Sequence, residues 1–144
     1  MGKKILLDKI NIPGIKTYEV YRENGGYKSV EKALTMQPDE ITEEVKTSGL
    51  RGRGGAGFPV GMKWSFIDKK SGKPRHLVFK AVESAAGTSK DRYLMDFIHQ
   101  LLIEGMITSS FALGDNLAYI YIRGEYMWVF KILETAIKEP YAAG

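Results

Sequence analysis

A glycine-rich stretch near the middle of the chain constrains the possible folds more than any other feature. It runs from Gly49 to Trp64 as Gly-Leu-Arg-Gly-Arg-Gly-Gly-Ala-Gly-Phe-Pro-Val-Gly-Met-Lys-Trp, with six glycines from its first residue to Gly61. Glycine permits positive φ and lets successive backbone N–H groups converge on an anion. Because mobile tails seldom contain a tryptophan, Pro59 and Trp64 count against a flexible glycine linker, which is the alternative to an anion-binding loop.

The side chains of this glycine loop suit a nucleotide. Arg51, Arg53 and Lys63 carry positive charge for a phosphate. Phe58 and Trp64 offer flat apolar faces on which a ring can stack. Arginine beside glycine also occurs in nucleic-acid-binding tails, but the Arg-Gly-Arg-Gly-Gly motif occurs only once here and few aromatic residues accompany it. We therefore expect no nucleic acid as a partner.

The positive charge of the chain is concentrated around the glycine loop. The formal net charge is +4, yet residues 49 to 80 hold eight basic side chains against one acidic side chain, Asp68. The eight are Arg51, Arg53, Lys63, Lys69, Lys70, Lys73, Arg75 and Lys80. A local excess of positive charge attracts an anionic ligand. The alternative interpretation is that these basic side chains only form a solvated surface.

Composition excludes several kinds of site. The 144 residues include no cysteine, which excludes disulfides, thiolate nucleophiles and cysteine-ligated iron–sulfur clusters in this chain. His76 and His99 are far apart in sequence, so no metal site is expected. No apolar run approaches the roughly 20 residues that span a bilayer, and the N-terminal apolar stretch is too short for a signal peptide. We expect a cytoplasmic chain without membrane insertion.

Two parts of the chain have different patterns. Residues 1 to 48 predict a helical lead-in: a surface segment over residues 1 to 16, two short helices within Tyr18–Leu34 broken at Gly25-Gly26, and a helix from Pro38 to about Ser48. Residues 49 to 144 predict the glycine loop followed by strand, helix, strand and helix, at Leu77–Val82, Asp96–Leu113, Leu117–Ile122 and Glu125–Glu139.

This order predicts an α/β fold with parallel strands joined by a right-handed crossover, as in a partial Rossmann-like sheet. The glycine loop is expected over the C-terminal ends of the strands, where open α/β sheets bind ligands. Tyr119 and Tyr121 alternate with apolar residues, so we expect them in the core. Pro140 is expected to end the last helix.

The glycine loop closely resembles the flavin-binding loop in the NADH-binding flavoprotein subunit of respiratory NADH:quinone oxidoreductase (complex I), and of related NAD-dependent hydrogenases and formate dehydrogenases. The resemblance covers nearly the whole chain. It continues through Ser65-Phe66, Gly87-Thr88, Lys90-Asp91-Arg92-Tyr93, Leu102-Ile103-Glu104-Gly105-Met106 and Ala118-Tyr119-Ile120-Tyr121-Ile122-Arg123-Gly124-Glu125-Tyr126.

The resemblance implies hydride transfer from NADH to FMN, followed by single-electron steps, with the flavin rather than a protein residue doing the chemistry. Seven positions match family positions around these ligands. Arg53, Gly54, Gly55 and Lys63 match the surroundings of the flavin and its phosphate, Phe58 and Phe66 match aromatics near the nicotinamide nucleotide, and Glu83 matches one member of a polar set at the flavin.

The rest of that polar set is replaced. Lys80 and Val82 stand where the family has a polar pair that contacts the flavin, and Ala85 stands where it has an acid that meets the dinucleotide. Each lost buried hydrogen bond costs roughly 1 to 3 kcal/mol, so FMN binding is expected to be weak or absent. Bulky Met127-Trp128-Val129-Phe130 replaces a segment that commonly reads Pro-Arg-Ala-Ala.

We interpret these departures as those of a truncated, deliberately redesigned fragment that does not catalyse alone, with a divergent natural paralogue as the alternative. A second hypothesis is a non-catalytic, self-assembling scaffold whose flavin site is erased. A homodimer is expected, because a two-stranded parallel sheet leaves free edges and residues 127 to 130 cannot all point inward. In the full-length family, the partners are other respiratory-complex subunits in the peripheral arm, on the cytoplasmic face of the inner membrane.

Overall fold

The computed structural model describes residues 4–69 and 71–144. Within these ranges the chain forms seven α-helices, two strands and one 3-10 turn. In chain order they are α1 Tyr18–Glu23, α2 Lys28–Leu34, α3 Pro38–Thr47, α4 Val60–Ser65, β1 Leu77–Ala81, α5 Lys90–Phe97, α6 His99–Leu113, β2 Ala118–Ile122, a 3-10 turn at Gly124–Tyr126, and α7 Met127–Ala143. The predicted α/β class, with a helical lead-in and a glycine-rich loop, is confirmed.

The two strands form one parallel sheet. Their register runs from Leu77 opposite Ala118 to Ala81 opposite Ile122, so the predicted parallel pairing is confirmed. One face of this sheet is covered by α5 and α7, because Ala81 packs in a core cluster with Met95 and Val129. Parallel strands need such a crossover connection, and α5 and α6 provide it.

The other face of the sheet carries exposed side chains, and the expectation that Tyr119 and Tyr121 lie in the core is wrong. Tyr121 is 58% exposed, and Val78 and Tyr119 are exposed beside it. Successive side chains of a strand point to opposite faces, so covering one face alone leaves every second residue in solvent. The same rule explains Lys80, which lies opposite Tyr121 on the exposed face.

The N-terminal residues are more buried than their polar sequence predicts. Ile15 is only 3% exposed, in a core cluster with Tyr21 and Ile98, and Ile10 and Ile12 pack against that cluster. The expectation of a surface segment over residues 1 to 16 is therefore wrong for these isoleucines. Their burial joins the helical lead-in to α6 and α7.

The breaks between the first helices are confirmed and have a packing cause. Gly25 has a φ of +83°, which glycine adopts without strain. A Cβ on Gly26 would lie 2.1 Å from the Tyr21 ring, so only glycine fits there. Pro38 begins α3 as predicted, and the Glu40 carboxylate accepts a hydrogen bond from the Gln37 N–H at 2.7 Å.

Two helix boundaries differ from the prediction. A helix already begins at Lys90, inside the predicted loop, and Ile98 separates it from α6 with φ −145° and ψ 48°. This kink allows Ile98 to join the N-terminal core cluster while Met95 joins the cluster under the sheet.

Pro140 does not end the last helix, which continues to Ala143. A proline has no N–H for the carbonyl of residue 136. The Gln100 side-chain nitrogen lies 3.5 Å from the Ala136 carbonyl oxygen, so this carbonyl has a donor nearby in place of the missing N–H.

A candidate nucleotide site at the glycine loop

The glycine loop is closed at its base like a short hairpin. The Gly52 N–H donates to the Phe58 carbonyl at 2.9 Å, and the Val60 N–H donates to the Leu50 carbonyl at 2.8 Å. Arg51 and Pro59 form an isolated antiparallel bridge between these bonds. The base of the loop is therefore closed by backbone hydrogen bonds, and its tip spans residues 52 to 57.

Two glycines at the tip face open space. An added Cβ on Gly54 or Gly55 would meet no heavy atom within 4 Å, and neither residue has a positive φ. Gly61 is different, because its added Cβ would lie 2.4 Å from the Lys46 backbone nitrogen, where α4 packs on α3. The protein's own packing thus requires glycine at position 61, whereas positions 54 and 55 leave room for a ligand to approach the backbone.

A cleft of about 470 Å³ lies beside this tip. Arg53 and Gly54 line it together with residues 79–81 of β1, and side chains of α5 and α6, such as Leu94 and Leu102, form an apolar wall. The loop therefore lies by the C-terminal half of β1, where open α/β sheets bind ligands.

The polar lining of the cleft is mainly cationic. Arg53 and Lys90 contribute positive charges, and Asp91, which is ion-paired with Lys90, contributes one negative charge. Lys80 also borders the cleft, but its side chain lies on the open face of the sheet. An apolar wall with a cationic mouth suits a ligand that combines a flat ring with a phosphate.

Phe58 and Phe66 form a second part of the candidate site. Their ring centroids are 6.2 Å apart with the planes tilted by 52°. Phe66 is 69% exposed and Phe58 is about half exposed, so both can offer a face to a ring. Lys63 lies on α4 between them in sequence and is exposed. Neither phenylalanine lines the cleft beside Arg53.

Trp64 has a structural contact instead. It is half-buried and packs against the core cluster of Ala33, Ile41 and Ala112, so only part of its surface remains free for stacking.

Two basic side chains cap the C-terminus of α6. Lys69 donates to the Ala112 carbonyl at 2.9 Å, and Arg75 donates to the Gly114 carbonyl at 3.2 Å. Cations are favourable at this end of a helix. Lys69 also bonds Asp39, which lowers the pKa of that carboxyl. Lys70 lies outside the described residues.

Glu83 lies just after β1 and holds neighbouring backbone. Its carboxylate accepts a hydrogen bond from the Arg92 N–H in the first turn of α5 at 3.3 Å. Its carbonyl accepts a hydrogen bond from Arg123 Nη1 at 2.9 Å. Glu83 does not line the cleft beside Arg53.

Arg123 is a residue to which sequence reasoning assigned no role. Its guanidinium forms a two-pronged pair with Glu125, at 2.7 Å from Nη2 and 3.3 Å from Nε. This pair lowers the pKa of Glu125 and raises the pKa of Arg123. The detectable signal was an Arg-Gly-Glu sequence directly after a strand, where an α/β sheet places its ligand edge.

Potential metal ligands are scattered over the described chain. Within residues 4–69 and 71–144, no group of three or more metal-ligating side chains comes together. No helix in the same ranges is long and apolar enough to cross a membrane.

Comparison with known proteins gives consistent matches. The family model of the Nuo51 FMN-binding domain matches residues 45–144. The NADH-quinone oxidoreductase F subunit 2 of Rhizobium meliloti is 47% identical over 145 residues, which cover 100% of this chain and 34% of that protein. The NADH-quinone oxidoreductase F subunit of Aquifex aeolicus is 49% identical over 140 residues, which cover 97% of this chain and 33% of that protein.

Solved structures agree. A chain of an NAD+-reducing [NiFe]-hydrogenase in its H2-reduced state is similar with a TM-score of 0.72 and 34% identity, over 93% of this chain and 22% of that chain. The air-oxidised state gives a TM-score of 0.68 with 32% identity.

This chain spans about a third of the length of the curated relatives that it matches. The match over residues 45–144, together with the similarity to these oxidoreductase subunits over almost the whole chain, confirms the resemblance that the glycine loop indicated. The chain belongs to the Nuo51 FMN-binding domain family.

Proposed function

We propose that this chain is the flavin- and NADH-binding part of a flavoprotein of the NADH:quinone oxidoreductase type, that it binds FMN weakly, and that it does not complete electron transfer alone. The observation that carries the proposal is the open space at Gly54 and Gly55 beside Arg53, in a cationic cleft at the C-terminal half of β1.

In this proposal the backbone N–H groups of Gly54 and Gly55 hold a phosphate, and Arg53 and Lys63 supply the balancing charge. Phe58 and Phe66 stack against the ring of the dinucleotide. By the family resemblance, Glu83 accepts a hydrogen bond from the flavin; in this structure its carboxylate accepts one from the Arg92 N–H beside the cleft. When bound, FMN supplies hydride acceptance and one-electron transfer, and the chain supplies position and charge.

Weak FMN binding follows from three side chains. Lys80 is exposed on the open face of the sheet, Val82 is half-buried and Ala85 is exposed. None of these replaces the polar contacts that the family resemblance assigns to these positions. Each missing hydrogen bond costs roughly 1 to 3 kcal/mol.

FMN titration tests the function. The parent chain is compared with a variant that carries Lys80→Asn, Val82→Asp and Ala85→Glu, and with Arg53→Ala. We expect a parent dissociation constant above the micromolar range, tighter binding in the triple variant, and weaker binding in Arg53→Ala, measured by flavin fluorescence and amide NMR shifts. Submicromolar binding by the parent would contradict the weak-binding claim, and no binding by the triple variant at millimolar FMN would contradict the function.

The wider assignments are part of the same proposal. Residues 1–48 serve as the helical lead-in and residues 49–144 as the nucleotide-binding domain. The partners are the other subunits of the respiratory complex, in its peripheral arm on the cytoplasmic face of the membrane. Because the chain contains no cysteine, we assign no cysteine-ligated iron–sulfur cluster to it. Truncation and redesign stay predictions.

Self-association, as expected of a scaffold whose flavin site is erased, is the second candidate function. Val129 is 0% exposed whereas Trp128 is 46% exposed, with Met127 and Phe130 exposed beside it. Burying such groups against a second copy is favourable at ~25 cal/mol per Å² of apolar surface, and a two-fold dimer is the commonest closed arrangement.

Sedimentation of the parent beside Trp128→Arg tests the dimer, with Leu34→Arg as the control because Leu34 is also exposed on a helix. We expect a dimeric parent at tens of micromolar, a monomeric Trp128→Arg variant and a dimeric control. A folded, monomeric parent at that concentration would exclude the dimer.

A further inference from the structure

Three elements meet around one side chain at the C-terminal end of the sheet. Arg123 directly follows β2, and its Nη1 donates at 2.9 Å to the carbonyl of Glu83, two residues after the end of the neighbouring strand β1. Glu83 in turn accepts a hydrogen bond from the Arg92 N–H of α5. The guanidinium therefore ties the end of β2 to the segment that leads from β1 into α5.

Glu125 fixes the direction of that guanidinium. It accepts two hydrogen bonds, from Nη2 at 2.7 Å and from Nε at 3.3 Å, and leaves Nη1 aimed at the Glu83 carbonyl. Arginine has a planar fork of donors that can hold a carboxylate and a carbonyl at once. A lysine in the same place has one flexible ammonium and cannot keep both contacts in the same geometry.

The segment held in this way borders the candidate site. Residues 84 to 89 are exposed and rich in small side chains, and they lead directly into Lys90 and Asp91, which line the cleft. The carbonyl contact from Arg123 and the carboxylate contact to Arg92 hold Glu83, the residue immediately before this segment, on two sides. Arg123 thus contacts the residue from which this segment starts.

We propose that Arg123 is a positioning residue for nucleotide binding: it does not contact the ligand, and it holds the segment from Glu83 to Ser89 in the orientation that receives it. This inference rests on the proposed function of the same site. It assigns a role to the Arg-Gly-Glu sequence that directly follows β2.

Arg123→Lys tests the proposal, with Arg22→Lys as the matched control. Arg22 is also an arginine in a surface ion pair, with Glu31, but it lies on α1. For Arg123→Lys we expect a dissociation constant for FMN about tenfold higher, as for loss of one charged hydrogen bond, and faster amide exchange at residues 84 to 89 and at Arg92. The control should change neither quantity more than about twofold.

A merely structural role would lower the unfolding midpoint without this pattern, so thermal unfolding is measured for both variants. Unchanged amide exchange at residues 84 to 89 in Arg123→Lys would overturn the positioning role, whether or not FMN binds. Faster exchange with unchanged FMN affinity would overturn the link to binding. If neither the parent nor the Lys80→Asn, Val82→Asp, Ala85→Glu variant responds to FMN, the proposed function fails and the ligand part of this inference fails with it.

Discussion

Polar side chains are buried where α6 meets the N-terminal helices, but they are exposed at the glycine loop and on the open face of the sheet. On the side of the N-terminal helices, His99, Gln100 and Glu104 are buried, and each has partners within the chain. At the glycine loop and on the open face of the sheet, charged and aromatic side chains such as Lys80 and Tyr121 remain exposed. Polar groups that a chain satisfies internally support the fold, whereas groups that it leaves accessible can meet a ligand or a partner.

Glu104 is the centre of the buried network. It is 6% exposed, and its carboxylate accepts hydrogen bonds from the Tyr21 hydroxyl at 2.5 Å and from the Ser29 hydroxyl and N–H. Burial, and then the hydrogen bond to Glu104, raise the pKa of Tyr21. The carboxylate therefore satisfies an N–H at the start of α2 and joins two lead-in helices to α6.

Gln100 extends this network towards α7. Its side-chain oxygen accepts a hydrogen bond from the Tyr27 hydroxyl at 2.6 Å, and its nitrogen donates to Glu139 at 2.8 Å. The Glu139 carboxylate also accepts a hydrogen bond from the Tyr18 N–H at 3.0 Å. No comparable chain of buried contacts lies among the described residues of the glycine loop.

The largest effect is expected from Glu104→Ala. It leaves the buried Tyr21 hydroxyl and the partly buried hydrogen-bonding groups of Ser29 without their acceptor, so the free energy of unfolding should fall by about 3 kcal/mol. Urea unfolding followed by circular dichroism measures this change. Glu134→Ala is the control, because Glu134 is exposed and pairs only at the surface with Lys138; it should change stability by less than about 0.5 kcal/mol. Equal effects would show that the network does not stabilise the fold.

Two glycine substitutions sharpen the contrast. Gly61→Ala places a methyl group against the Lys46 backbone and should lower the free energy of unfolding by about 2 kcal/mol. Gly54→Ala meets open space, so stability should change by less than about 0.5 kcal/mol. In FMN titrations of the folded variants, Gly54→Ala should weaken binding and Gly61→Ala should not. A large loss of stability in Gly54→Ala would mean that the tip is a structural turn.

His99 makes the helical side sensitive to acid. Both ring nitrogens lie near carbonyl oxygens, of Met95 and Lys16, but burial outweighs these contacts and lowers the pKa of the ring. The unfolded chain therefore binds a proton more readily than the folded chain. The stability contribution is present above the unfolded pKa of about 6.5 and is lost as pH falls through the lower folded pKa.

His99→Gln should reduce the dependence of the free energy of unfolding on pH between neutral and mildly acidic conditions. Urea unfolding at a series of pH values measures this dependence. His76→Gln is the control because His76 is exposed. A parent and a His99→Gln variant with the same pH slope would contradict this assignment.

The smallest effect is expected on the open face of the sheet. Tyr121→Thr keeps a residue that favours strands and removes a ring that is mostly in solvent, so stability should change by less than about 0.5 kcal/mol in dilute protein. Ile120→Ala, on the opposite face, removes a side chain that packs against the Val129 and Leu133 cluster and should cost more. Equal losses would indicate that the exposed face is covered in solution.

Local features were predictable from sequence because they depend on neighbours along the chain. The helix start at Pro38 and the helix end at Gly114, which has a φ of +70°, follow from the backbone limits of proline and glycine. The parallel pairing of β1 and β2 follows from the order of strand, helix and strand.

Features that depend on distant neighbours were not predictable in this way. The helix is interrupted at Ile98 because Ile98 packs in the N-terminal core cluster whereas Met95 packs in the cluster under the sheet. Pro140 stays within α7, where Gln100 lies beside the carbonyl that the proline cannot bond. The contact of Arg123 with the Glu83 carbonyl exists only because β1 and β2 pair side by side in the folded chain.

By itself, the sequence determined the glycine loop with its charges and aromatic rings, the α/β order and the family, because these reside in residue identity and spacing. Only the tertiary structure decided which surfaces those residues occupy. Trp64 packs half-buried against a core cluster, Lys69 and Arg75 lie at the end of α6, and Tyr119 and Tyr121 lie on an open face. The physical reason is that burial depends on which elements pack together, and a strand pattern of period two does not say which of its faces a helix will cover.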